Sequence, residues 1–156
     1  MKAAMGVRLA RPEDCAEIAR LGNELGYRST SEEIAARLSV LDKSDRHRVL
    51  VAAGERSAIL GWIAAEERLV LESGERTEIV GLVVDSKFRQ RGVGRALIDE
   101  VERWAQSRGR DRVVVRSNVA RSESHPFFQA AGYARSKTQH VYVKDLGAGG
   151  HAGPTG

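Results

Sequence analysis

The sequence predicts an α+β domain, three-layered in the α/β manner, with a mixed and mostly antiparallel central sheet flanked by helices. Three observations predict it. Strand-like and helix-like segments follow in the order strand, two helices, three strands, helix, strand, helix, strands, a mixture that requires a sheet covered by helices. The three consecutive strands are separated only by turn signals, which makes an antiparallel meander. The chain of 156 residues is 42% apolar and 29% charged, enough for one folded core and too apolar for a disordered segment.

The elements follow in chain order. Residues 7–10 form a short first strand. Pro12 suits the first turn of a helix, and Glu13 and Asp14 complement its positive end; Ile18, Leu21 and Leu25 then form an apolar stripe at spacings of three and four. Thr30 and Glu33 have capping-box spacing for a second helix with Ile34, Leu38 and Leu41 on one face. Residues 42–46 are a polar break. Residues 49–53, 58–71 and 77–84 are the meander, with turns at 54–57 and 72–74. Residues 93–108 are the clearest helix, with Val93, Leu97, Val101 and Trp104 on one face and Gly109 as its stop. A β-branched strand follows at 112–116, a helical turn at 127–131 ending at Gly132, and a final pair of strands within 133–144. The domain spans 1–146, and the Gly-rich residues 147–156 are expected to be a disordered tail. There is no internal repeat.

Composition excludes several function classes. The formal net charge is +4 and the pI about 9.6, but acids and bases are interleaved, as in Glu66-Glu67-Arg68, so a mixed solvated surface is the reading and nucleic acid is not an expected partner. The exception is residues 87–95, with four cations and no acid. Nothing approaches the roughly 18 apolar residues of a membrane span, and residues 1–6 lack a signal peptide's apolar stretch. A lone Cys15 forms no internal disulfide, in keeping with a cytoplasmic setting. The histidines at 47, 125, 140 and 151 lack metal-ligand spacing, so no metal is expected. Trp62 and Trp104 read as core anchors.

The informative segment runs from Val83 to Leu97. An apolar strand ends, a basic loop follows, and Gly92 and Gly94 open an amphipathic helix. The first turn of a helix has unpaired N–H groups and a partial positive charge, and glycines let a bulky anion approach the backbone. Together they make a phosphate or pyrophosphate site, to which Arg89, Arg91 and Arg95 add forked donors. A P-loop needs Gly-Lys-Ser or Gly-Lys-Thr, which is absent. A dinucleotide fingerprint needs glycine at Leu97 and glycines directly after the strand.

The segment resembles the signature of the GNAT superfamily of N-acetyltransferases, whose pattern is Arg or Gln, two residues, Gly, one residue, then Gly or Ala. Here it reads Arg89-Gln90-Arg91-Gly92-Val93-Gly94, and the order of elements over about residues 7–145 is also that of the family. The resemblance implies the acyl-CoA N-acyltransferase fold and acetyl-CoA as cosubstrate. Its pyrophosphate would lie on the loop, Arg89, Gln90, Arg91, Gly92, Val93, Gly94, Arg95 and Ala96. Its pantetheine arm would lie along the backbone of Leu82, Val83 and Val84. A second likeness is Asn118 followed by Phe127-Phe128-Gln129-Ala130-Ala131-Gly132-Tyr133. It implies that Asn118 hydrogen-bonds the pantetheine arm and that Phe128 belongs to the cosubstrate site.

Acetylating an amine requires removal of a proton from a group of pKa roughly 10 and an oxyanion donor for the tetrahedral intermediate. Glu78 is the expected base, acting through water, as several family members place a glutamate there; alternation sets residues 78, 80, 82 and 84 on one strand face. The amide of Leu82 or Val83 is the expected oxyanion donor. Many members carry Tyr at the position of Phe128, whose hydroxyl can protonate the leaving thiolate. Here the thiolate leaves unassisted, or Tyr133, His125 or Tyr142 serves. By analogy the first two helices, with Glu24, Tyr27 and Arg28, cover the site of a small-molecule or peptide amine acceptor. A homodimer is common in the family. The alternative function is a non-catalytic acyl-CoA sensor with the same fold.

Overall fold

The computed structural model describes residues 5–116 and 124–147. The chain divides into two compact units, Met1–Arg116 and Ser117–Gly156. In the first, β1 (Gly6–Leu9) leads through a 3₁₀ turn (Pro12–Asp14) into α1 (Cys15–Glu24), followed by α2 (Ser31–Leu41), β2 (His47–Ala53), β3 (Ile59–Val70), β4 (Gly74–Val84), α3 (Val93–Ser107) and β5 (Val113–Val115). The described part of the second unit holds α4 (Ser124–Ala130).

Local chemistry sets the element ends. The capping box at α2 is formed: Thr30 Oγ1 accepts from the Glu33 amide and Glu33 Oε1 accepts from the Thr30 amide, both at 3.1 Å. At the end of α3 the Arg110 amide donates to Ala105 O and the Gly109 amide to Gln106 O, the paired closure that a left-handed residue after a helix allows.

The sheet order is β1-β2-β3-β4-β5. β1 to β4 are antiparallel neighbours, and β5 runs parallel to β4 after the α3 crossover. One sheet face packs on α1 and α2 through a core that includes Cys15, Ile18, Leu21, Leu38, Val51 and Val83. The other is covered by α3, whose Val93, Leu97, Ile98, Val101 and Trp104 are buried.

Two expectations need correction. First, β4 carries a bulge: Ala64 pairs with Gly81 but Ala65 pairs with Ile79, so Val80 is an extra residue. One inserted residue inverts the alternation. Glu78 therefore shares a face with Gly81 and Val83, under α1 and α2, whereas Leu82 and Val84 lie on the α3 face. Second, residues 133–147 contain no strand. A strand is completed by its partner's ladder, and here the apolar run is only Val141, Tyr142 and Val143, all exposed.

Candidate functional site

The segment after β4 is built as an anion seat. Asp85 ends the strand: its amide donates to Leu60 O at 2.8 Å, and its carboxylate accepts from the Lys87 amide at 3.0 Å, capping the short turn Ser86–Phe88. Gln90 and Gly92 both take left-handed backbone, at φ 62° and 82°, and so swing the chain into α3. Gly92 is the N-cap and brings no side chain to the helix end. The first α-helical bond runs from the Ala96 amide to Gly92 O, so the amides of Val93 and Gly94 have no acceptor within the helix and sit at its positive end. A Cβ built on Gly92 would meet nothing within 4 Å, which leaves the approach open. Arg89, Gln90 and Arg91 are exposed; the Arg91 guanidinium stacks 5.5 Å from the Phe88 ring centre, and Arg95 pairs with Asp99 at 3.1 Å.

The strand leading into this seat presents a free edge. The β4–β5 pairing covers only Thr77 to Ile79 against Val113 to Val115, yet β4 continues to Val84. The Asp85 amide points to β3. By alternation the amides of Val83 and Gly81 point the same way, and those of Leu82 and Val84 point to the edge that β5 leaves open among the described residues. Of the three residues expected to pair with a pantetheine arm, Leu82 and Val84 thus offer both backbone groups, and Val83 turns inward with its side chain buried. The Leu82 amide, not that of Val83, is the one aimed at the gap. Gly81 stands beside the bulge because a Cβ there would lie 2.8 Å from the Trp62 ring.

Glu78 is 2% exposed and surrounded by cations. Its Oε2 accepts from Arg68 Nη1 at 2.9 Å and lies 3.7 Å from Arg76 Nη2, while its Oε1 accepts from Arg116 Nε. Burial pushes its pKa up, but the hydrogen bonds from Arg68 and Arg116 and their charges outweigh burial, and it is held below the ordinary carboxylate value. A carboxylate so engaged takes up a proton less readily than a free one, which opposes the base role expected from sequence.

Between α1 and the start of α2 lies an open cleft of about 640 Å³, lined by Ala19, Arg20, Asn23, Glu24, Ser29 and Thr30 among others. Arg20 is held by Glu17 (2.7 Å), Glu24 (3.0 Å) and Asp85 (3.4 Å), tying α1 to the end of β4. Glu24 lines the cleft as expected. Tyr27 and Arg28 are exposed and do not.

The model of the acetyltransferase (GNAT) family matches residues 13–133. The chain belongs to this family. Among curated GNAT-like relatives, an uncharacterized N-acetyltransferase of Bacillus subtilis, YhdJ, is 28% identical over 78% of this chain and 84% of its own length. An aminoalkylphosphonate N-acetyltransferase of Salmonella typhimurium is 29% identical over 74% of this chain and 73% of its own. Among solved structures, an aminoglycoside N-acetyltransferase in complex with CoA superposes with a TM-score of 0.82 at 21% identity, covering 92% of this chain and 97% of the other. Glucosamine-6-phosphate N-acetyltransferase of Arabidopsis thaliana gives 0.77 at 21%, covering 91% and 99%. These structural matches show the fold, the five-stranded mixed sheet flanked by helices. This GNAT chain is an N-acetyltransferase.

The remaining expected residues of this GNAT enzyme fall in the second unit. Asn118 lies outside the described residues, as do residues 148–156 of the expected tail. His125 is placed on α4. Phe128 and Tyr133 have a local role: the Tyr133 amide donates to Phe128 O at 2.9 Å and the Gly132 amide to Gln129 O at 3.0 Å, with Gly132 at φ 93°. Their rings meet edge to face, with centroids 6.1 Å apart. This is a helix stop with its usual apolar clasp, and it accounts for the spacing of the Phe128-to-Tyr133 motif. Tyr142 is 91% exposed. Among the described residues no cluster of His, Cys, Asp and Glu could hold a metal ion, and no helix is long and apolar enough to cross a membrane.

The arginines around Glu78 were missed in the sequence reading. The signal was there: Glu66-x-Arg68 and Arg76-x-Glu78 are mirror images about the turn at residue 72, and they face each other once the hairpin is centred there.

Proposed function

We propose that this GNAT enzyme transfers the acetyl group of acetyl-CoA to a primary amine of a small molecule or peptide, by direct attack. One observation carries the reading: the open backbone edge at Leu82 and Val84 runs straight into the left-handed loop and bare helix end at Gly92. A pantetheine-length edge and a pyrophosphate seat are thus in line, with Arg89 and Arg91 beside the seat. The relatives support the class of reaction: one acts, by its name, on aminoalkylphosphonates, and an aminoglycoside enzyme of the same fold binds CoA.

In this reading the amine nitrogen attacks the thioester carbonyl carbon, a C–N bond forms, and the carbonyl oxygen takes up the negative charge while accepting from the Leu82 amide. The C–S bond then breaks, the thiolate leaves with the electron pair, and the nitrogen's proton passes to solvent. A thiol has a pKa of roughly 8.5, so a thiolate is a competent leaving group near neutral pH and Phe128 in place of a tyrosine is tolerable. Tyr133→Phe should accordingly lower kcat by less than about fivefold; a loss of the roughly 10²-fold or more typical of a general acid would make Tyr133 the proton donor.

The test is thermal unfolding with and without acetyl-CoA, followed by thiol release across a panel of amines. Acetyl-CoA at a hundredfold its Kd should add about 2.7 kcal/mol, and Arg89→Ala with Gly92→Asp should abolish the gain. No stabilisation would sink the reading. Stabilisation without turnover of any amine would leave the same fold acting as an acyl-CoA sensor.

A further inference from the structure

We propose that the acceptor amine also carries an oxyanion (a carboxylate, phosphonate or phosphate) and that Arg68 and Arg116 bind it beside Glu78. The proposal rests on the acetyl-transfer reading above and narrows its substrate.

The β3–β4 register sets like charges directly opposite each other, Glu66 against Glu78 and Arg68 against Arg76, an arrangement that is destabilising by itself. It is relieved on the diagonals: Arg68 lies 2.9 Å from Glu78 and 3.8 Å from Glu66, and Arg76 lies 3.7 Å from Glu78. Arg116 adds a third guanidinium on Glu78 from the end of β5. Three permanent cations therefore surround two carboxylates. The negative centre, Glu78, is buried, while the side chains of Arg68 and Arg116 are 43% and 54% exposed. What the cluster turns to solvent is cationic.

Neutralising one buried carboxylate does not require three arginines, and each further one adds repulsion. Each guanidinium carries roughly five N–H donors in a fork that matches an oxyanion, more than the two glutamates absorb. Glu78 is then a positioning residue: it fixes the guanidinium planes and lowers the repulsion between them.

The cluster also stands at the right place. Arg116 follows Val115, the last β5 residue paired to β4, opposite Ile79. It therefore sits where the gap toward the Leu82 amide begins. Glu78 and Leu82 are four residues apart, about 13 Å along a strand, a distance that an arginine side chain and a short acceptor span together.

The experiment uses the full chain, acetyl-CoA and three acceptors of matched length: 3-aminopropylphosphonate, propylamine and 1,3-diaminopropane. The expected result is a kcat/KM for the phosphonate at least tenfold above that for propylamine. Methylphosphonate should compete with the acceptor and not with acetyl-CoA. Arg68→Met and Arg116→Met should each cut the phosphonate-to-propylamine ratio about tenfold through KM, and Arg68→Lys should restore part of it. A ratio near one, or preference for the diamine, overturns the proposal. So does an equal loss for all acceptors accompanied by a lowered unfolding temperature, which would make the cluster a structural knot. Should no amine turn over, calorimetric titration of 3-aminopropylphosphonate into CoA-loaded protein decides: no binding overturns the proposal. Failure of the acetyl-transfer reading is separately visible as absence of acetyl-CoA binding.

Discussion

Asp14 shows what a single ionised side chain does for this fold. Its carboxylate is buried where β1 turns into α1, and it accepts from both Arg8 Nη atoms at 2.8 and 2.9 Å and from the Arg11 amide at 2.8 Å. The Arg8 hydrogen bond, against the cost of burial, holds its pKa below the ordinary value. A carboxyl with a depressed folded-state pKa contributes stability that is complete above its unfolded pKa and is lost as the pH falls through the folded one. Asp14→Asn keeps the shape and removes the charge. It should cost about 1.5–3 kcal/mol at pH 7, measured by urea unfolding, and the gap to the wild type should close below about pH 4. A gap that stays constant to pH 3 would mean that packing, not charge, is what Asp14 supplies.

At the scale of elements, the loop between β4 and α3 makes the sharpest prediction. Gly92 holds a left-handed conformation that an L side chain adopts at a cost of about 1–2 kcal/mol, yet a Cβ there meets no protein atom within 4 Å. Gly92→Ala should therefore lower stability by only that backbone strain, while the methyl group intrudes where a pyrophosphate would approach the Val93 and Gly94 amides. The acetyl-CoA Kd, by calorimetry, should rise tenfold or more, and unfolding should shift by a few degrees. Equal loss in both would mean that the loop is a structural turn alone. Helices and helix ends of this kind were legible in the sequence because their signals are local. The Thr30–Glu33 box, the stripe from Val93 to Trp104 and the stop at Gly109 each involve residues within a turn or two. The loop from Arg89 to Ala96 was legible for the same reason. What was not legible belongs to pairings. The Val80 bulge exists only in the register of β4 against β3, so the alternation that placed Glu78 with Leu82 failed one residue later. The arginines gathered on Glu78 come from three strands or their ends. The strands expected within residues 133–144 required a ladder that a propensity for extended structure cannot supply.

Across the whole molecule, the excess of positive charge is spent unevenly. Most exposed cations are paired locally, as in Arg20 with Glu17 and Glu24, Arg37 with Glu33 and Arg103 with Glu100. Others bind the buried Glu67, which is held by Arg108 and Arg110. Lys87, Arg89 and Arg91 make no ion pair among the described residues, so the net charge of +4 is expressed chiefly at one short loop. That distribution suits a compact polyanion such as the diphosphate of a coenzyme better than a duplex, which needs a stripe of phosphate contacts along its backbone. Solvent-exposed charges are screened over about 10 Å at 0.1 M salt and 3 Å at 1 M, whereas the amides at the helix end act at contact distance. Raising salt from roughly 0.05 to 0.5 M should thus weaken acetyl-CoA binding by about three- to tenfold without abolishing it, because screening removes the steering cations and leaves the amide seat. The same titration with a duplex DNA should show no retention near physiological salt. Acetyl-CoA affinity that ignores salt would place the whole binding energy in the backbone; affinity that vanishes by 0.5 M would place it in Lys87, Arg89 and Arg91, and the Gly92→Ala variant would then be the control that tells the two apart.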